Sequence, residues 1–87
     1  MNIATWKGEK YTITFDANGG SVNQNIKSVT VGETYGSLPV PVKSDYVFVG
    51  WYTAVSGGTK ITNTSSVNLS TDQTLFASWV PKRYTIP

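Results

Sequence analysis

The two ends of this chain repeat one another, and that bounds what can fold here. Ala4-Thr5-Trp6 matches Ala77-Ser78-Trp79, and Lys10-Tyr11-Thr12-Ile13 matches Arg83-Tyr84-Thr85-Ile86, both at an offset of 73 residues (77 − 4 and 84 − 11). The spacer between the two blocks has one length in both copies, Lys7-Gly8-Glu9 and Val80-Pro81-Lys82. Self-similarity at a fixed period marks a repeat architecture. The 87 residues therefore divide into the tail of a preceding repeat (1–10), one whole repeat (11–79), and a linker with the start of the next (80–87). Val80 to Arg83 reads as the joint, stiffened by Pro81. A unit this small buries only about 60% of the surface its unfolded chain exposes, so its core is thin.

That core has to come from a few large side chains. The chain has three Trp, five Tyr and three Phe, with no Cys, so neither a disulfide framework nor a thiolate metal site supports it. It also has no His, which removes the commonest general base and transition-metal ligand. The formal charge of +2 comes from basic residues in runs no longer than two, so there is no basic cluster to track a phosphate backbone and no nucleic-acid partner is expected. No apolar stretch approaches the roughly 20 residues of a membrane span. Met1 to Lys10 lacks a basic segment followed by an apolar one, so no signal peptide is read there.

Local patterns indicate strands and turns. Tyr11, Ile13 and Phe15 alternate with Thr, which predicts a strand with one apolar face. Asn18-Gly19 supplies positive φ at low cost, so Asp16 to Gly20 reads as a hairpin turn, with the return strand inside Ser21 to Val31. Gly36, Pro39 and Pro41 exclude a long helix or central strand from 35–45, leaving a crossover loop with Leu38 as its plug into the core. Tyr46 to Tyr52 carries large side chains on both parities and reads as a strand covered on both faces, with room above Gly50 for a neighbouring ring. Gly57-Gly58 marks a turn, 60–71 is polar, and Leu75, Ala77 and Trp79 share a face of the last strand. The only helical possibility is one turn around 63–67.

In this order the blocks resemble the Listeria–Bacteroides repeat family, which includes the internalin B-repeat. The opening is Tyr11-Thr12-Ile13-Thr14-Phe15-Asp16-Ala17-Asn18-Gly19-Gly20. Gly32 with Leu38-Pro39 and Pro41 is similar to the family's middle loop, and Tyr46-Val47-Phe48-Val49-Gly50-Trp51-Tyr52-Thr53 with Gly57-Gly58-Thr59 to its central motif. Thr74-Leu75-Phe76-Ala77-Ser78-Trp79 is similar to its closing strand. One position departs from the family: Asp45 stands where Gly is usual before the tyrosine. The resemblance implies a mostly β fold, a small β-grasp, ubiquitin-like mixed sheet of about four strands with little or no helix. It implies tandem arrays in secreted or wall-attached bacterial proteins, with a role in spacing, self-association or adhesion. It supplies no catalytic set. The motif residues it singles out are structural: Phe15, Asn18, Gly19, Tyr46, Phe48, Gly50, Trp51, Tyr52, Gly57, Gly58, Phe76 and Trp79.

Chemistry is weighed against scaffold in the remaining polar and aromatic residues. Glu9, Asp16, Glu33, Asp45 and Asp72 all fall in expected turns or linkers and read as solvated turn carboxylates. Asp16-Ala17-Asn18 is only a fragment of a calcium loop. No metal or cofactor is expected. Two functional classes follow: a spacer and interaction module whose partners are neighbouring copies, and a ligand-binding module that takes a host protein or a glycan on exposed aromatics. Trp6, Trp51 and Trp79 are the candidates for sugar stacking, although core packing is the prior reading of each.

Overall fold

A computed structural model describes residues 7–82 of the chain. They form a single mixed sheet of five strands: β1 (Lys10–Asp16), β2 (Ile26–Thr30), β3 (Tyr46–Tyr52), β4 (Lys60–Ile61) and β5 (Gln73–Pro81). The order across the sheet is β2-β1-β5-β3-β4. β1 and β2 form an antiparallel hairpin, β5 lies parallel to β1, and β3 runs antiparallel to β5. This mixed order, with the first and last strands parallel at the centre, is compatible with a β-grasp. Among the described residues there is no helix, and 63–64 form only a turn.

The period-2 pattern of the sequence reappears as an inner and an outer face. On the inner face sit Ile13 and Phe15 from β1, Val29 from β2, Trp51 from β3, and Leu75 and Ala77 from β5, all buried. Val31, Tyr35 and Val67 complete the cluster from outside the strands. The cover over this face is made of loop, which is possible because the loop's backbone groups find partners. Val67 bonds to both residues of the turn at Gly32-Glu33 (Val67 N to Glu33 O 2.8 Å, Gly32 N to Val67 O 3.2 Å), and Tyr35 N reaches Ser65 O at 3.0 Å. Buried loops without such bonds would carry a large desolvation penalty.

Three expectations about the middle of the chain are corrected. The main plug of the crossover loop is Tyr35, 2% exposed, while Leu38 only packs at the margin of the core. The tyrosine can go inside because its hydroxyl donates to Gln73 Oε1 at 2.8 Å. β3 is not covered on both faces: Val47 and Val49 remain 48% and 37% exposed. The register shifts between Phe48, opposite Trp79, and Gly50, opposite Ser78. Val49 is thus an extra residue, and the bulge brings Phe48 and Trp51 onto one face although they are three apart. That phase change is why large side chains occupied both parities. Finally, no ring fills the space above Gly50; a Cβ there would lie 2.6 Å from Lys60 Cε on the outer face.

At the chain ends, the described part of 1–10, the expected tail of a preceding repeat, is bonded into the module. Gly8 N donates to Val31 O and Val31 N to Glu9 O, both at 2.9 Å. Gly8 has φ +89°. Two residues facing one, the first a glycine in the left-handed region, is a glycine-type bulge that prolongs the β1–β2 ladder. Val80 and Pro81, expected in the joint, are the last residues of β5, and Lys82 N donates to Asp45 O at 2.9 Å. Trp6 and the repeated block Tyr84-Thr85-Ile86 lie outside the described residues.

Candidate functional site

The densest set of motif residues lies at the end of the sheet where β1 finishes and β5 leaves. After β1 the chain must reverse, and Asn18 and Gly19 take the positive φ that this requires (51° and 95°). Asp16 holds the turn by accepting from Asn18 N at 2.8 Å. Asn18 Nδ2 then donates to Ala77 O at 3.1 Å, and Trp79 Nε1 donates to Ala17 O at 2.9 Å, so the hairpin tip is tied to β5 twice. Lys43 Nζ lies 4.1 Å from the centre of the Tyr46 ring and 5.9 Å from that of Trp79, a cation over two aromatic faces.

Gly20 belongs to this constellation and was not singled out in the sequence. A Cβ there would lie 2.5 Å from Val42 O and 2.6 Å from the Trp79 ring. The second glycine after Asn18 was its signal: one glycine supplies the turn, the other lets Val42 and Trp79 approach the backbone. Lys43 was missed too, and only the tertiary structure brings it to the rings.

The other motif residues serve the core or the turns. Phe15, Trp51, Phe48 and Trp79 form an aromatic chain with centroid separations of 4.9, 5.4 and 5.6 Å. Trp51 is 2% exposed, and its Nε1 donates to Pro39 O at 2.8 Å. Tyr52 and Phe76 face each other across β3 and β5 on the outer face, half-buried. Gly57 takes φ +75°, and a Cβ on Gly58 would collide with the Ala54 backbone, so both are demands of the turn. Asp45, the departure from the family pattern, sits at φ +67°, a conformation that glycine adopts without strain and Asp tolerates better than most residues.

Reactive chemistry has little material here. Asp72 Oδ1 accepts from Thr12 N at 2.8 Å and so caps the start of the β1–β5 ladder. Among the described residues no three of His, Cys, Asp and Glu gather to hold a metal ion. An open hollow of about 490 Å³ beside the hairpin holds one carboxylate, Asp16. A second, of about 350 Å³ beside Leu38, Phe48, Trp51 and Ile61, has no titratable group in its lining. The outer face is polar along β1 and the start of β5, with Thr12, Thr14 and Thr74 exposed. Of the described aromatic residues Tyr46 is the most exposed, at 37%, so they do not assemble an open stacking platform.

The fold and this end of the sheet define a small, mostly β module built on one mixed sheet. The chain belongs to the Listeria–Bacteroides repeat domain family, whose pattern matches residues 11–78. Internalin H of Listeria monocytogenes is 38% identical over 79 residues, covering 88% of this chain and 14% of that protein. A protein of Evansella cellulosilytica named "Putative membrane protein" is 32% identical over 87 residues, 95% of this chain and 12% of its own length. The chain thus spans a small part of each relative. Together these likenesses make it a repeat module of a bacterial surface-type protein.

Proposed function

We propose that the chain is a non-catalytic spacer in a tandem array at a bacterial cell surface or wall, holding other parts of its protein at a distance and contributing weak adhesion. The observation that carries this reading is the parallel pairing of β1 with β5. A chain that ended antiparallel to its first strand would leave beside its own start. Here it enters at one end of the sheet and leaves at the other. Asp16 lies level with Phe76, so Lys10 and Pro81 are separated by eleven residue steps along one strand direction. At about 3.3 Å per residue that is roughly 36 Å.

Copies joined at the 73-residue offset would therefore follow one another in line, each adding about 40 Å once the joint is included. Adhesion to a host protein or a glycan would be weak per module and would grow with the number of copies. Small-angle scattering on one-, two- and three-repeat proteins tests the geometry. The maximum dimension should rise by a similar increment per copy; a two-repeat protein that collapses into a compact globule refutes the spacer. Tight, saturable binding of a defined glycan by one isolated module would replace it with the ligand-binding reading.

A further inference from the structure

The two ends of the module are bonded to it by overlapping positions of the repeat. At the offset of 73, Pro81 and Lys82 of one copy are also positions 8 and 9 of the next. In this chain, position 82 gives its N–H to Asp45 O, and position 9 takes the N–H of Val31 on its carbonyl. A residue standing between two repeats has both groups to offer at once. We propose that consecutive copies share one continuous strand through Val80–Lys82, with no free linker residue, and that Lys82 is bonded to both copies. This rests on the spacer reading above and adds to it a defined repeat–repeat contact.

The shared strand dictates which surfaces meet. In an extended residue the N–H and C=O leave the backbone on the same side, as the paired bonds of an antiparallel ladder require. Asp45 of the first copy and Val31 of the second are therefore neighbours along one side of that strand. The corner Lys43–Asp45 of one copy abuts the corner Val31–Glu33 of the next. Lys43 and the exposed Asp45 stand on the first corner and the exposed Glu33 on the second.

The joint also differs from the one upstream. Gly8 donates to Val31 O with φ +89°, whereas Pro81 has no N–H and is confined to φ near −65°. After Pro81 the glycine-type bulge cannot form. The next copy is held there by the Lys82 carbonyl alone, and the strand runs straight.

The test is a two-repeat protein made by following Lys82 of the whole chain directly with a second copy from Lys10, compared with the single chain and with a version carrying Gly-Ser-Gly-Ser after Lys82. The Lys82 amide should exchange about tenfold more slowly in the direct fusion than in the single chain, and ¹⁵N relaxation should report one common tumbling time for both copies. The insertion should abolish both effects while each copy keeps its own amide spectrum. An elongated fusion in which Lys82 exchanges as in the single chain and the insertion changes nothing overturns the shared strand but leaves the spacer. A compact fusion overturns both.

Discussion

Gly20 and Gly50 offer the sharpest test of how the sheet is packed, because each is short of space for a different reason. Adding one methyl group at Gly20 places it 2.5 Å from Val42 O and 2.6 Å from the Trp79 ring. Neither neighbour can step aside. Val42 exchanges two backbone bonds with Ser21, both 2.8 Å, and Trp79 is held by its bond to Ala17 O and by Phe48 at 5.6 Å. Overpacking against fixed atoms typically costs 1–3 kcal/mol. Gly20→Ala should therefore lose about 2 kcal/mol, which in a domain of this size lowers Tm by roughly 8–16 °C. At Gly50 the obstacle is Lys60 Cε at 2.6 Å, the far end of an exposed, flexible side chain. The lysine can swing into water, and alanine is favoured over glycine in a strand by about 0.5–1 kcal/mol. Gly50→Ala should leave stability within about 0.5 kcal/mol of the parent. Urea unfolding followed by far-ultraviolet circular dichroism measures both. A Gly20→Ala variant as stable as the parent, or a Gly50→Ala variant that loses more than Gly20→Ala, would refute the packing account.

Further outcomes follow from other contacts. Val67 is fully buried in a segment with no strand of its own, so Val67→Ala should cost about 2 kcal/mol by the urea midpoint, as for other large-to-small core changes. Asp72→Ala removes the acceptor for Thr12 N and should cost about 1 kcal/mol, with faster exchange of the Thr12 amide in hydrogen–deuterium measurements. Burial raises the Tyr35 hydroxyl above its ordinary pKa of 10.0. The folded state then keeps this proton longer than the unfolded one, so the associated stability is intact below pH 10 and declines as pH rises beyond it; Tyr35→Phe should remove that part of the alkaline loss in a pH series of thermal melts. At Asp45, φ +67° makes Asp45→Gly more stable than Asp45→Ala by about 1 kcal/mol in paired thermal melts.

Much of the fold was legible because its signals are local. Alternation set the inward faces of β1 and β5, Asn18-Gly19 marked the turn that opens the nine-residue connection 17–25 to β2, and Gly36, Pro39 and Pro41 excluded regular structure from the crossover. Each depends on the conformational preferences of a few adjacent residues. The reading failed where a local pattern had a non-local cause. Phe48 and Trp51 look like opposite faces until the extra residue Val49 is placed, and a bulge leaves no reliable mark in one sequence. Tyr35 looks like a loop residue until Gln73, 38 positions away, takes its hydroxyl.

The candidate site divides in the same way. The sequence by itself determined that two short blocks recur at an offset of 73 residues, that the chain builds strands and turns, and that it does so without His or Cys, because these are matters of residue type and spacing. Only the tertiary structure decided that β1 and β5 are parallel neighbours, that Lys43 lies over Tyr46, and that Gly8, Glu9 and Lys82 are bonded into the module. The strand pattern alone is the same for a parallel and an antiparallel partner. The choice is made when Ile13, Phe15, Leu75 and Trp51 have to bury one common face, and that choice sends the chain out at the end opposite to where it came in.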